Sequence, residues 1–186
     1  MLVFWRYGYE TSSIADLTSA MKITAPSLYT AFGDKRQLFL EAMALYVGDP
    51  AEQAHAIESA ESAYQAVSAL LDAVAITYTC VETPPGCLLA SATASGSSAA
   101  ADVQYAVANV RRDLAAQLAK RIERDVTDRR LPPDTDAMTL ALLIVAVTQG
   151  MSVLARDGGS REQLQAIARA ALKAWPSGAK SREPGR

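Results

Sequence analysis

The feature that most constrains this chain is a run of three short helical patterns between Gly8 and Tyr46, separated by turns of only a few residues. In the first pattern, apolar residues recur at spacings of three and four, which places them on one face of a helix. Ser12 is positioned to cap that helix, and the pattern ends near Met21. Each of the turns that follow carries a start signal for the next helix.

The first turn consists of residues 22–24. Thr24 offers its hydroxyl to the unpaired amides at the start of the next helix. Pro26 falls within the first turn of that helix, where its missing N–H is tolerated. The second helix is therefore predicted over residues 25–32.

A third helix follows directly. Gly33 ends the second helix, and Asp34 caps a third one that reaches Tyr46. Two short helices joined by a tight turn form a helix-turn-helix, and the second helix of such a pair is small enough to enter a DNA major groove. The sequence therefore predicts a helix-turn-helix domain over residues 1–47.

The same segment carries a set of residues whose types and spacings agree with a known family. They are Gly8, Tyr9, Ser12, Ser13, Ile14, Asp16, Leu17, Ile23, Thr24, Ser27, Leu28, Tyr29, Phe32, Lys35, Leu38 and Phe39. Together they resemble the DNA-binding domain of TetR-family transcriptional regulators, over roughly the first quarter of the chain. Residues 149–158 also resemble a stretch that is common in one branch of that family.

Two features depart from the family pattern. The family usually has glycine where this chain has Lys22, so the turn must either hold a side chain at positive φ or take another geometry. The family also has a full first helix, whereas only residues 1–7 precede Gly8 here. A truncated first helix is therefore predicted.

The resemblance also implies which residues meet DNA. Small or hydroxyl-bearing side chains of the second helix would face a thymine methyl or a base edge. Other side chains would meet phosphates, together with the amide donors at the helix N-termini. The implied base-facing residues are Ala25, Pro26 and Thr30, and the implied phosphate-facing residues are Ser13, Ser27, Tyr29 and Lys35. Since the net charge is only −2, this prediction rests on the motif and not on a basic field.

Composition and chain breaks predict an all-α fold. Half of the residues are hydrophobic and only 6% are aromatic, and this excess of Ala, Leu and Val suits close helix packing. A larger helical domain for ligand binding and dimerisation is predicted over residues 48–176, followed by a disordered tail at 177–186. Its helices are predicted over residues 62–81, 87–94, 99–130 and 137–155, with a short helix or loop at 51–60, a break at 95–98 and a last helix after Ser160.

Basic residues are frequent on the long helix predicted over residues 99–130. They alternate with carboxylates, which is typical of a solvated face and less typical of a nucleic-acid patch. The basic residues are Arg111, Arg112, Lys120, Arg121, Arg124, Arg129 and Arg130.

The helix predicted over residues 137–155 contains no charged residue. Its length approaches that of a membrane span, but polar residues such as Thr148 and Gln149 dilute it, and a buried helix is the better interpretation. A helix that is apolar all round needs two partners, and a second copy of the chain can supply one of them. The predicted four-helix dimer interface contains Leu143, Val147, Met151, Leu164, Ile167 and Ala171.

The family resemblance further implies a ligand pocket in the larger domain. The expected effector is a small apolar or amphipathic molecule. The polar or aromatic residues expected to line the pocket are Tyr78, Cys87, Tyr105, Asn109, Thr148 and Gln149.

Enzymatic activity is not favoured by the residues that could support it. Cys80 and Cys87 do not have the spacing of zinc ligands, and His55 is the single histidine available as a general base. Both cysteines lie in apolar surroundings typical of core residues, so no metal and no cofactor is predicted. A redox role for Cys87 is kept as an alternative.

The sequence therefore predicts a cytoplasmic, homodimeric repressor that binds a pseudo-palindromic operator in double-stranded DNA and is released by a small-molecule effector. The alternative is a dimeric small-molecule-binding or interaction protein, in which the shortened first helix impairs the DNA-binding module. No association with a membrane is predicted.

Overall fold

The computed structural model describes residues 1–92 and 100–176, and within them it contains ten α-helices and no β-strand. The predicted all-α fold is confirmed, whereas the predicted break at 95–98 and tail at 177–186 lie outside the described residues. In chain order the helices are α1 Leu2–Tyr7, α2 Ile14–Met21, α3 Ala25–Phe32, α4 Lys35–Val47, α5 Pro50–Ser59, α6 Ala63–Tyr78, α7 Leu88–Ala92, α8 Ala101–Thr127, α9 Ala137–Arg156 and α10 Arg161–Lys173.

The first four helices share one aromatic core. Phe4 of α1 is fully buried and meets Phe39 of α4 edge-on, with 5.2 Å between the ring centroids. Tyr9 meets the same Phe39 ring at 5.2 Å, and Leu17 and Leu28 are buried in the adjoining helices. Burying a phenylalanine of this kind stabilises the fold by about 1.5–3 kcal/mol. Helix α1 is therefore anchored in this core through Phe4.

Helix α2 begins one residue later than predicted. Its cap is Ser13, whose Oγ accepts a hydrogen bond from the Asp16 amide at 3.1 Å, while the Asp16 carboxylate accepts one from the Ser13 amide at 3.0 Å. The prediction of Ser12 as the cap was wrong, because only Ser13 has an acidic residue three positions later to complete a capping box. Ser12 is buried and donates to the Gly8 carbonyl at 2.6 Å.

The predicted caps of α3 and α4 are confirmed. Thr24 Oγ1 accepts from the Ser27 amide at 3.3 Å, and the Asp34 carboxylate accepts from the Gln37 amide at 2.6 Å. Helix α4 ends at Gly48, the predicted start of the second domain. Since α1 packs on α7, and α4 packs on α7 and α8, the division into two domains stays a prediction.

The larger part of the chain is built around the contact between α8 and α9. Helix α6 packs on both of them, and α10 covers α6 and α9. The predicted apolar stripe of α8 faces this core, with Val103, Val107, Leu118 and Ile122 buried. Two further stripe residues, Val110 and Leu114, are half-buried because they line a cavity.

Helix α9 has one buried side and one exposed apolar side. The buried side, which includes Ile144, Thr148 and Ser152, packs against α6, α8 and α10. Among the described helices, α9 alone has the length and composition of a membrane span, and these contacts are those of a core helix. The exposed side consists of Met138, Leu142, Leu143, Ala146, Gly150, Val153 and Leu154.

This arrangement corrects part of the predicted dimer interface. Met151 and Leu164 have no accessible surface within the single chain, so neither side chain is available to a second copy. The sequence pattern failed here because it identified apolar positions without saying which neighbour covers them. Of the remaining predicted residues, Leu143 is exposed, and Val147, Ile167 and Ala171 are half-buried.

A buried ion pair joins α8 to the start of α6. The Arg121 guanidinium contacts the Asp125 carboxylate one turn later, and both side chains are buried. The second oxygen of Asp125 accepts from the Ala63 amide at 2.7 Å, and Arg121 donates to the Ala60 carbonyl at 3.0 Å. The prediction that Arg121 lies on a solvated face was therefore wrong.

Candidate nucleic-acid interface and ligand cavity

Helix α3 presents a short, uncharged and exposed surface. It contains eight residues, which corresponds to a length of about 12 Å, and an α-helix with its side chains is about 10–12 Å across, so it fits a DNA major groove. Pro26, Ser27, Tyr29 and Thr30 are exposed and Ala25 is half-buried, and the exposed fraction of Tyr29 is 48%. These five predicted DNA-binding residues therefore lie together on an accessible helix.

The hydroxyl groups of α3 are partly engaged within the helix. Thr30 Oγ1 donates to the Pro26 carbonyl at 2.9 Å, so its oxygen remains as an acceptor. Thr24 Oγ1 and Ser27 Oγ lie 2.9 Å apart and share one hydrogen bond. The N-terminus of α3 thus has an uncharged cap, which suits a phosphate.

The N-terminus of α2 is different because a carboxylate already occupies it. Asp16 accepts from both the hydroxyl and the amide of Ser13, at 2.6 and 3.0 Å. These hydrogen bonds hold the pKa of Asp16 below its usual value. Ser13 is exposed as predicted, but the negative charge beside it makes α3 the better phosphate site of the two.

Lys35, the predicted cationic phosphate contact, is anchored by its neighbours. Its Nζ donates to the Glu10 carbonyl at 3.1 Å and lies 4.7 Å from the centre of the Tyr9 ring. Partial burial lowers the pKa of Lys35, and the nearby Glu10 acts in the opposite direction. The ammonium group is therefore held at a fixed position next to the start of α4.

Lys22 adopts the left-handed conformation that the family's glycine would favour, with φ 56° and ψ 41°. An L-residue in this region is strained by about 1–2 kcal/mol. Glycine avoids this strain, but it loses more conformational entropy on folding, which cancels part of the advantage. We expect Lys22→Gly to stabilise the protein by about 0.5–1 kcal/mol. Lys22→Ala, which keeps the Cβ, is the matched control and should give no gain in thermal unfolding. Equal gains from both variants would contradict this explanation.

A cavity of about 240 Å³ lies among α4, α6, α8 and α9. Four of the predicted ligand-pocket residues line it: Tyr78, Cys87, Thr148 and Gln149. The other two predicted pocket residues, Tyr105 and Asn109, do not line it. Tyr105 is 64% exposed and lies against the Arg112 guanidinium, to which Asn109 is also hydrogen-bonded, so these residues form an outer cluster on α8.

The polar wall of the cavity is centred on Cys87. The Tyr46 hydroxyl donates to Cys87 Sγ at 3.4 Å, and Tyr78 lines the cavity together with them. Burial raises the pKa of both tyrosines, and the neighbouring thiol acts in the same direction, so both phenols remain neutral. This wall offers hydroxyl and thiol groups within an otherwise largely apolar space.

Several lining residues were not predicted, and Tyr46 and Arg111 are two of them. Tyr46 was assigned only to the last helix of the first domain, and its position at the end of α4 brings it to the cavity. Arg111 was placed on a solvated face, but it lines the cavity and donates to the Leu89 carbonyl at 3.2 Å. Only its place beside the apolar stripe residue Val110 could have indicated this.

Comparison with known proteins identifies the family. Residues 1–42 match the family model of bacterial regulatory proteins of the tetR family, and residues 63–171 match that of the tetracyclin repressor-like C-terminal domain. The chain belongs to the TetR family. It is a DNA-binding transcriptional regulator, as its similar relatives are.

Two relatives of this TetR-family chain come from Escherichia coli strain K12. The chain is 31% identical over 182 residues to the HTH-type transcriptional repressor ComR, covering 95% of this chain and 85% of ComR. It is 29% identical over 171 residues to the HTH-type transcriptional repressor BdcR, covering 90% and 80% of the two proteins.

Solved structures of TetR-family regulators superpose on most of the chain. A cysteine mutant of the regulator CifR, complexed with a 26-bp double-strand operator DNA, has a TM-score of 0.87 at 39% identity and covers 94% of this chain and 92% of that one. A TetR regulator from Rhodococcus sp. RHA1 has a TM-score of 0.62 at 34% identity, with coverage of 94% and 93%.

Proposed function

We propose that this TetR-family regulator is a cytoplasmic homodimeric repressor, which binds a pseudo-palindromic operator and is released by a small apolar or amphipathic effector. The observation that carries the proposal is the position of Tyr46. It belongs to α4, the helix directly after the exposed α3, and it lines the cavity. A molecule in the cavity therefore contacts an element that is continuous with the DNA-reading helix.

Operator binding is assigned to α3 and its surroundings. Ala25, Pro26 and Thr30 would meet base edges and thymine methyl groups, while Ser27 and Tyr29 would meet phosphates. Lys35 adds a fixed positive charge beside them. Ser13 would be a weaker contact because of the carboxylate of Asp16.

Dimerisation is assigned to the exposed apolar side of α9. This surface is defined by Met138, Leu142, Leu143, Ala146, Gly150, Val153 and Leu154, and Val147, Ile167 and Ala171 lie half-buried next to it or on the neighbouring α10. For the proposed symmetric dimer to bind a pseudo-palindromic operator, its two copies of α3 must lie in successive major grooves, roughly 34–36 Å apart. An effector that prefers a conformation with another spacing lowers the affinity for the operator.

The cavity supports the assignment of the effector. Its surface is mainly apolar, and the polar groups that line it include the hydroxyls of Tyr46, Tyr78 and Thr148, the amide of Gln149 and the guanidinium of Arg111. Such a surface suits an apolar molecule with one polar end. The alternative of an impaired DNA-binding module is less favoured, because the short α1 still buries both Phe4 and Trp5.

The experiment that tests DNA binding compares two variants at several salt concentrations, on an operator duplex selected in vitro. Tyr29→Phe should weaken binding roughly fivefold to tenfold without changing the salt dependence, because it removes a neutral donor. Lys35→Gln should weaken binding and reduce the slope of log K against log salt by about one per half-site. Lys173→Gln, on the exposed end of α10, is the matched control. Wild-type affinity and slope in both variants would show that these phosphate roles are wrong.

A further inference from the structure

Trp5 connects the first helix to the segment that precedes and includes α7. Its indole Nε1 donates to the Gly86 carbonyl at 3.0 Å, and its own carbonyl accepts from Ser91 Oγ at 2.8 Å. Both hydrogen bonds are buried and join residues more than 80 positions apart. We call Trp5, Gly86, Ser91 and Arg156 the Trp5 joint.

The segment held by Trp5 is itself fixed on α9. The Cys87 amide donates to Ser152 Oγ at 2.8 Å, and Arg156 donates to the Cys87 carbonyl at 3.0 Å and contacts Ser91 Oγ. Gly86 has φ 79°, and a Cβ there would lie 2.7 Å from the Ser152 carbonyl oxygen. Because this segment is packed so closely on α9, a ligand that pushes against it should shift the whole segment and not only one side chain.

The same segment forms one wall of the cavity. Cys87 and Leu89 line it, and Cys87 Sγ accepts a hydrogen bond from the Tyr46 hydroxyl of α4. The ring of Tyr46 meets the ring of Trp5 edge-on, with 4.9 Å between the centroids. Trp5 of α1 thus contacts a residue of α4 that lines the cavity and that a ligand would touch.

We propose that the Trp5 joint transmits occupation of the cavity to the DNA-binding helices. This inference rests on the proposed release by an effector and names the contacts that would carry it. A molecule that displaces Cys87 or Tyr46 also moves Trp5, because a buried indole donor that loses its carbonyl is strongly disfavoured. Phe4, the neighbour of Trp5, packs on Phe39, so α1 moves together with α4 and the adjoining α3.

The test uses cavity-filling substitutions in place of an unidentified ligand. Val74→Phe on α6 and Val110→Phe on α8 each add a ring to the cavity from a different wall. Each is combined with Trp5→Phe, which removes the indole donor but keeps an aromatic ring. Operator affinity is measured for all single and double variants, and thermal unfolding shows that each is folded. Trp175→Phe, at the far end of the chain against Tyr64, is the matched control for the loss of an indole.

We expect either filling substitution to weaken operator binding about tenfold in the otherwise unchanged chain and with Trp175→Phe. With Trp5→Phe, the same filling should weaken binding by only about threefold, because Tyr46 still contacts α4 directly but the Trp5 joint no longer adds to the effect. An equal, additive loss in the Trp5→Phe background would overturn the joint. If neither Val74→Phe nor Val110→Phe weakens operator binding, the proposed release of DNA by a molecule in the cavity is itself contradicted.

Discussion

Asp125→Ala is expected to destabilise the protein by about 3–5 kcal/mol, since breaking a buried ion pair leaves an unpaired charge in the core. The substitution removes the partner of the buried Arg121. It also removes the acceptor of the Ala63 amide at the first residue of α6. The same carboxylate therefore serves two helices, and its loss should affect both.

Unfolding in urea, measured at one protein concentration because dimerisation affects stability, checks this expectation. The matched control is Asp128→Ala, three residues further along the chain. Asp128 is paired with Arg124 at 4.0 Å on the exposed side of the chain, and such surface pairs contribute only about 0.3–0.5 kcal/mol. Arg121→Met combined with Asp125→Leu should recover part of the loss. If Asp125→Ala costs no more than Asp128→Ala, the buried pair is not a determinant of stability.

The short helices of the first domain could be predicted because their signals are local. A hydroxyl or carboxylate cap, a proline in the first turn and a glycine at the end lie within a few residues of one another, as at Thr24, Pro26 and Gly33. Ambiguity arose only where two serines stand side by side. Asp16 makes Ser13 the cap and not Ser12, because its carboxylate accepts a hydrogen bond from the Ser13 hydroxyl.

The positions of Arg121 and Arg111 could not be predicted in the same way. Helical spacing assigns each residue an angle on its helix, but not the neighbour that covers it. Arg121 is buried because α8 passes the start of α6, where its guanidinium meets the Ala60 carbonyl, 61 positions away. Charged residues next to an apolar stripe are usually solvated, so the sequence favoured the wrong environment.

The cavity shows the same limit on a larger scale. Thr148 and Gln149 lie on the inner side of α9 and line the cavity, whereas Tyr105 lies on the outer side of α8. Tyr46 was missed because it comes from the domain assigned to DNA binding. Its role follows from the way in which α4 packs on α7 and α8, which is a tertiary contact.

Leu142→Glu combined with Val153→Glu is expected to make the protein monomeric. The two side chains are 52% and 56% exposed in the single chain, and both lie on the apolar side of α9. A symmetric interface would bring four buried carboxylates together without counter-charges, which is strongly unfavourable. Loss of the dimer should weaken binding to a two-site operator by about 10²–10⁴-fold, because the second half-site is no longer held at high effective concentration.

Sedimentation at several concentrations measures the assembly, and duplexes with one or two half-sites measure the binding. A monomer should bind the single half-site as tightly as one unit of the wild type does, so that only the two-site affinity falls. Val81→Glu is the matched control, because Val81 is 90% exposed in the loop between α6 and α7 and receives the same charge. If the Leu142→Glu, Val153→Glu variant remains dimeric, the dimer interface does not lie on the exposed side of α9. A monomer with unchanged two-site affinity would instead separate operator binding from dimerisation, since the gain from a linked second site requires the link.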